Sequence, residues 1–209
     1  MRSSASTAGR LDFSVATRQL GGSELIATVK DVDGEHARHN GLKVSDLAVR
    51  RAEPDEAARL TEIAVLSKGH WHYDQDFMVR FASVIAIDPQ YVRENEVWVL
   101  ERVRKTLGFY ALLPKGDTWE LDHLWLLPGD IGKGFGRMLF EHAVGRAIQS
   151  GARHLEWEAE PHAVGFYRRM GGAPVRPTTS SLGRALDVFR LDLGSTKPGL
   201  CPANNEEHQ

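Results

Sequence analysis

Residues 127–139 read LPGDIGKGFGRML: a Pro-Gly turn, three glycines at every second position, then apolar residues at helical spacing. Gly132, Gly134 and Gly136 keep the backbone bare just ahead of a helix. Such a loop favours an anion, because unpaired N–H groups and the positive end of the helix dipole converge on it. Three kinds of loop must be separated. A dinucleotide loop needs G-x-G-x-x-G after the first strand of a βαβ unit. Here Arg137 stands three positions after Gly134, and the preceding strand belongs to a meander. A P-loop needs G-x-x-x-x-G-K-[ST]. Gly132-Lys133 is followed by Gly134, and Leu127 occupies the place of the first glycine. Both readings fail.

Working outward, the chain has 209 residues, room for one well-packed domain with extensions. With 42% apolar and 26% charged residues it has an ordinary globular balance. The net charge of −2 leaves no basic field for nucleic acid. The lone Cys201 excludes an internal disulfide framework and a cysteine zinc cage, which fits a reducing cytoplasm. No apolar run approaches the ~18 residues that span a membrane. The opening MRSSASTAGR lacks a hydrophobic centre and is not read as a secretory signal.

Residues 1–44 form an N-terminal extension of uncertain order, with DFSVATRQL and SELIATVKDV as candidate short strands; 45–194 form the folded domain; 195–209 are a polar, disordered tail. Alternation predicts strands at 46–52, 96–101, 106–113, 119–127, 153–160, from 171 and at 185–193. Helical spacing predicts helices at 57–68, 74–86, after the glycine loop and at 162–170. The order β-α-α-β-β-β-α-β-α-β-β makes an α/β (α+β) domain, with an early antiparallel meander and later crossovers.

The glycines match R/Q-x-x-G-x-G/A, running Ile131, Gly132, Lys133, Gly134, Phe135, Gly136. Downstream, EPHAVGFYRRMGG (160–172) is similar to N-x-x-A-x-x-F-Y-x-x-x-G-F through Ala163, Phe166, Tyr167 and Gly171. The two motifs together, in this element order, resemble the GCN5-related N-acetyltransferases (GNAT) over residues 47–193. Ile131 departs from the usual Arg or Gln, and Glu160 from the usual Asn.

The resemblance implies a central mixed, mostly antiparallel sheet flanked by helices, and acetyl-CoA as acyl donor. It implies that Ile131–Arg137 cradle the pyrophosphate, with Lys133 and Arg137 screening phosphates and Phe166 beside the cofactor. Leu124 and Leu126 would offer backbone to the pantetheine arm. Tyr167 falls at the family's acid position, poised to protonate the departing thiolate. Alternation along 119–127 puts Glu120, Asp122, Leu124 and Leu126 on one face, and Trp119, Leu121, His123 and Trp125 on the other. The resemblance implies a carboxylate near the start of this strand: Glu120 falls at that position and Asp122 one step nearer the thioester on the same face, so both are candidate bases, with His123 pointing away. SKGHWHYDQDF (67–77) lies where the family builds its acceptor pocket, so His70, Trp71, His72 and Tyr73 are candidate substrate contacts. His70-x-His72 suggests no third ligand, and no metal is expected.

The expected activity is direct acetyl transfer to the amine of a small molecule or peptide. The alternative is a non-catalytic acyl-CoA-binding module of the same fold. Neither nucleic acid nor membrane is an expected partner, and a homodimer is compatible with the resemblance.

Overall fold

The computed structural model describes residues 14–20, 24–30 and 47–194. Strands β1 (Ser14–Leu20) and β2 (Glu24–Lys30) pair antiparallel as a separate two-stranded sheet. The domain proper runs β3 (Leu47–Arg51), α1 (Ala57–Gly69), α2 (Gln75–Val84), α3 (Pro89–Glu94), β4 (Glu96–Arg102), β5 (Lys105–Lys115), β6 (Thr118–Leu126), α4 (Phe135–Gln149), β7 (His154–Ala159), α5 (Val164–Arg169), β8 (Ala173–Thr179) and β9 (Ala185–Asp192). Its seven strands lie in the order β3-β4-β5-β6-β7-β9-β8. Only β6 and β7 pair parallel. The mixed, mostly antiparallel sheet is as expected.

Alternation divides the core into two layers. On one face Trp98, Leu100, Tyr110 and Leu112 meet Leu139, Phe140, Ala143 and Ala147 of α4, with Trp157 and Tyr167 beside them. On the other, Val97, Val99, Phe109 and Ala111 meet Leu60, Ile63 and Ala64 of α1 and Val92 of α3. Helices α2 and α3 start where a side chain supplies an acceptor. The Asp74 side chain accepts from the Phe77 N–H at 2.8 Å and opens α2. The Asp88 side chain accepts from the Tyr91 N–H at 2.7 Å, with Pro89 in the first turn, and opens α3. This third helix is additional to the order expected from the sequence.

One expectation is corrected. In β6 the register against β5 slips between Ala111 and Leu112: Ala111 faces His123, whereas Leu112 faces Leu121. Asp122 is the surplus residue of a β-bulge, so the alternation changes phase across it. Leu124 and Leu126 therefore share the α4 face with Trp119 and Leu121, while Trp125 packs on the α1 face. Strict alternation had paired Leu124 and Leu126 with Glu120.

Candidate active site

The bulge marks the place where the sheet opens. Parallel pairing of β6 with β7 covers only Thr118–His154, Trp119–Leu155 and Glu120–Glu156. Beyond Glu120 the strands part, which leaves main-chain groups of β6 facing a gap rather than a neighbouring strand. A 560 Å³ cleft begins at the glycine loop and runs along this gap, lined by Leu124, Leu126, Ile131, Gly132, Gly134, Gly136 and Arg137. Phe166, Tyr167, Trp71 and Tyr73 also line it.

Two glycines of the loop are required by backbone shape. Gly132 has φ +82° and Gly134, the residue preceding α4, has φ +87°. These are left-handed values that a side chain disfavours. No side chain caps α4, so its first N–H groups remain available to a ligand. At Gly136 an added Cβ would lie 3.6 Å from the Leu126 side chain and 3.7 Å from Phe166, ordinary contacts. Of the other predicted loop residues, Phe135 packs into the core beneath α4, and the Lys133 ammonium lies 3.1 Å from the Asp130 carboxylate. Neither side chain lines the cleft.

A second cavity, of 380 Å³, lies on the α1–α2 side of the sheet. It meets the cleft across a common wall of Lys68, Asp122, Trp125, Glu158 and Glu160. Lys68 is only 2% exposed. Its Nζ is 2.5 Å from Glu160 Oε1 and sits 4.9–6.0 Å from the ring centres of Tyr73, Phe81, Phe77 and Trp125. Glu160 also accepts hydrogen bonds from the Tyr73 hydroxyl at 3.0 Å and Arg184 Nη1 at 2.7 Å. Burial lowers the Lys68 pKa against the pull of Glu160. Burial would raise Glu160, but Lys68, Arg184 and Tyr73 outweigh it and hold the carboxyl below its usual range.

Asp122 accepts from the Tyr91 hydroxyl at 2.5 Å, and His123 Nε2 approaches it at 3.4 Å. Burial keeps His123 below its ordinary pKa despite Asp122. Tyr167, 8% exposed, is packed among Trp157, Phe166 and Phe140, with centroids at 4.9, 5.1 and 5.9 Å. Burial, helped by the charge of Glu160, raises its pKa, so the phenol keeps its proton at neutral pH.

The other expected residues fall as follows. Glu120 is ion-paired with Lys115 and lines neither cavity. His70 and His72 are exposed and line neither. Trp71 stacks on His162, 4.7 Å between centroids, at the edge of the cleft. Glu158, Lys68, Phe77, Phe81 and Arg184 were not singled out from the sequence. Two signals were available. Glu156, Glu158 and Glu160 alternate on one strand face, and Lys68 follows Ala64 by four positions on the buried stripe of α1.

Residues 93–171 match the acetyltransferase (GNAT) domain family, a span that contains the parted strands, the glycine loop and Tyr167. That span is well under half of the chain, and the sheet and helices around it have the GNAT fold. No curated protein matches it in sequence. Among solved structures, it is similar to a GCN5-related N-acetyltransferase from Rhodopseudomonas palustris at 22% identity, covering 69% of this chain and 94% of that one, TM-score 0.61. It is also similar to the PaiA N-acetyltransferase of Thermoplasma acidophilum, solved in complex with coenzyme A, at 15% identity, 70% and 98% coverage, TM-score 0.60. A third is the ribosomal-protein-S18-alanine N-acetyltransferase from Escherichia coli, at 16% identity, 74% and 99% coverage, TM-score 0.54. At these identities the likeness is one of fold. Among the described residues, no helix is long and apolar enough to cross a membrane.

Proposed function

We propose that this chain is an acetyl-CoA-dependent N-acetyltransferase that moves acetyl directly from the thioester to an amine. One observation supports this above the others. The cleft that begins at the glycine loop meets, at the gap between β6 and β7, a second cavity entered from the other side of the sheet. Two substrates can thus approach one point from opposite faces, as direct transfer demands.

The residues divide the work along that path. The N–H groups of residues 132–137 hold the pyrophosphate, and Arg137 adds charge at the mouth. The β6 edge at Leu124 and Leu126 pairs with the amides of the pantetheine arm as a missing strand would. Phe166 bounds the arm from the α5 side. An acceptor amine arrives mostly as ammonium and must lose a proton before it attacks. Asp122 and Glu158, both on the common wall, are the carboxylates placed to receive it. The amine nitrogen then bonds to the acetyl carbon, the C–S bond breaks, and Tyr167 donates its proton to the departing thiolate.

Titration calorimetry tests the first step. Acetyl-CoA should bind, and Gly134→Val should abolish binding because valine resists the left-handed φ and projects into the cleft. Binding without CoA-thiol release over a panel of amines would favour the non-catalytic module instead; no binding would refute both.

A further inference from the structure

The second cavity carries a reading of which amine it takes, resting on the transferase assignment above. Its walls between the helices and the sheet are apolar, formed chiefly by Phe77, Phe81, Ile85, Ile87, Trp125 and Leu186. Its charges are unevenly placed. Two carboxylates, Asp122 and Glu158, stand where the cavity opens onto the cleft. Asp122 receives only a phenol and a histidine, and Glu158 only a 3.5 Å contact from the Thr178 hydroxyl. Neither carboxylate has a cationic partner among the described lysines and arginines. The two cations of the cavity, Lys68 and Arg184, are both held by Glu160, one on each oxygen. The remaining rim, Ser180 to Leu182 beside Arg184, offers no carboxylate.

We infer that the acceptor is a primary monoamine on an aromatic or branched alkyl body, without a carboxylate beside the nitrogen and without a second ammonium. The nitrogen enters between Asp122 and Glu158, where an ammonium finds the unpaired negative charge. The body lies on the rings of Phe77, Phe81 and Trp125. An α-amino acid brings its carboxylate to the same point as its nitrogen, against Asp122 and Glu158, while the cations of the cavity, Lys68 and Arg184, are engaged on Glu160. A diamine or polyamine carries its second ammonium either into the apolar wall or toward Arg184. The first arrangement buries a charge without its counterpart, and the second sets two cations side by side.

The test is a steady-state comparison on the full chain, with acetyl-CoA saturating, following CoA-thiol release and the mass of the acetylated amine. Phenethylamine should exceed phenylalanine, butane-1,4-diamine and an alanine-initiated hexapeptide by about tenfold or more in kcat/KM. Glu158→Gln should raise the KM for phenethylamine several-fold while leaving the calorimetric affinity for acetyl-CoA unchanged. Higher turnover of the amino acid, diamine or peptide overturns the inference. Acetyl-CoA binding with no acetylation of phenethylamine also overturns it, whichever other amine reacts. Failure of acetyl-CoA itself to bind overturns the transferase reading beneath it and is seen separately in the calorimeter.

Discussion

Replacing Glu160 with Gln is the sharpest probe of how the wall between the two cavities is held. The substitution keeps shape and hydrogen-bonding capacity for Tyr73 and Arg184 but strips the counter-charge from Lys68, whose ammonium is 2.5 Å away and 2% exposed. Breaking a buried pair from one side costs about 3–5 kcal/mol. Glu160 itself is 28% exposed, so water entering from the cavities softens the loss to about 2–3 kcal/mol. Lys68 also has an escape: it can fold neutral. That route costs about 1.4 kcal/mol for each pH unit below the lysine's unfolded pKa, which sets a ceiling of about 5 kcal/mol at pH 7.

The signs give the deficit a characteristic pH profile. Glu160 is depressed in the folded state, so its contribution is present above 4.5 and disappears as pH falls through its folded value. Lys68 is depressed too, so between its folded value and 10.5 the unfolded chain binds more protons and stability rises with pH. The deficit of Glu160→Gln relative to the native chain should therefore be greatest near neutrality, shrinking in acid and again toward pH 10. Urea unfolding followed by far-ultraviolet circular dichroism at four pH values measures it. Lys68→Met with Glu160→Gln should recover most of the loss, since an apolar side chain suits the ring-lined site. A loss below about 1 kcal/mol, a flat profile, or a double variant no better than the single one would refute this account of the pair.

Other outcomes are accessible to simpler measurements. Tyr167→Phe should lower kcat by about 10²-fold or more while leaving acetyl-CoA affinity within a factor of two, since only the proton donor is lost; an unchanged kcat removes its role as acid. Val103 and Arg104 both hold positive φ, +47° and +61°, in the two-residue turn joining β4 to β5. Val103→Asn with Arg104→Gly should stabilise the chain by about 1–2 kcal/mol in urea unfolding, because Asn-Gly suits that turn and valine does not. Gly108→Ala should cost about 3 kcal/mol or more, because its Cβ would overlap the Trp125 carbonyl and the Leu126 side chain where β5 crosses β6.

The elements were legible because each has an unambiguous period. The strands at 96–102 and 105–115 are joined by a short charged turn, and α4 follows the glycine loop directly. Helix α3 spans only Pro89–Glu94, too short to show a period; its visible mark is the Asp88-Pro89 start. The glycine loop and the Phe166-Tyr167 motif were visible because local backbone chemistry fixes them. The acceptor side was less so. Of the contacts predicted in SKGHWHYDQDF, Trp71 and Tyr73 line the cleft and none lines the second cavity, whereas the histidines turn to solvent. The second cavity draws on Lys68, Phe81, Tyr91, Asp122, Glu158 and Arg184, which meet only when the sheet is assembled. No spacing in the chain records that meeting. Glu120 looked equivalent to Asp122 because a period of two was applied through a bulge that alternation does not reveal.

That bulge has a further meaning. Deleting Asp122 would leave every other side chain of β6 on the face it already occupies, because the deletion removes the one residue out of step. The shortened strand could then pair with β5 without interruption and extend its pairing with β7 past Glu120. The result would be a more regular sheet with the slot sealed: a protein harder to unfold and without its cleft. Stability and the opening of the cleft are set against each other at a single position, and the strand keeps one residue more than its sheet needs.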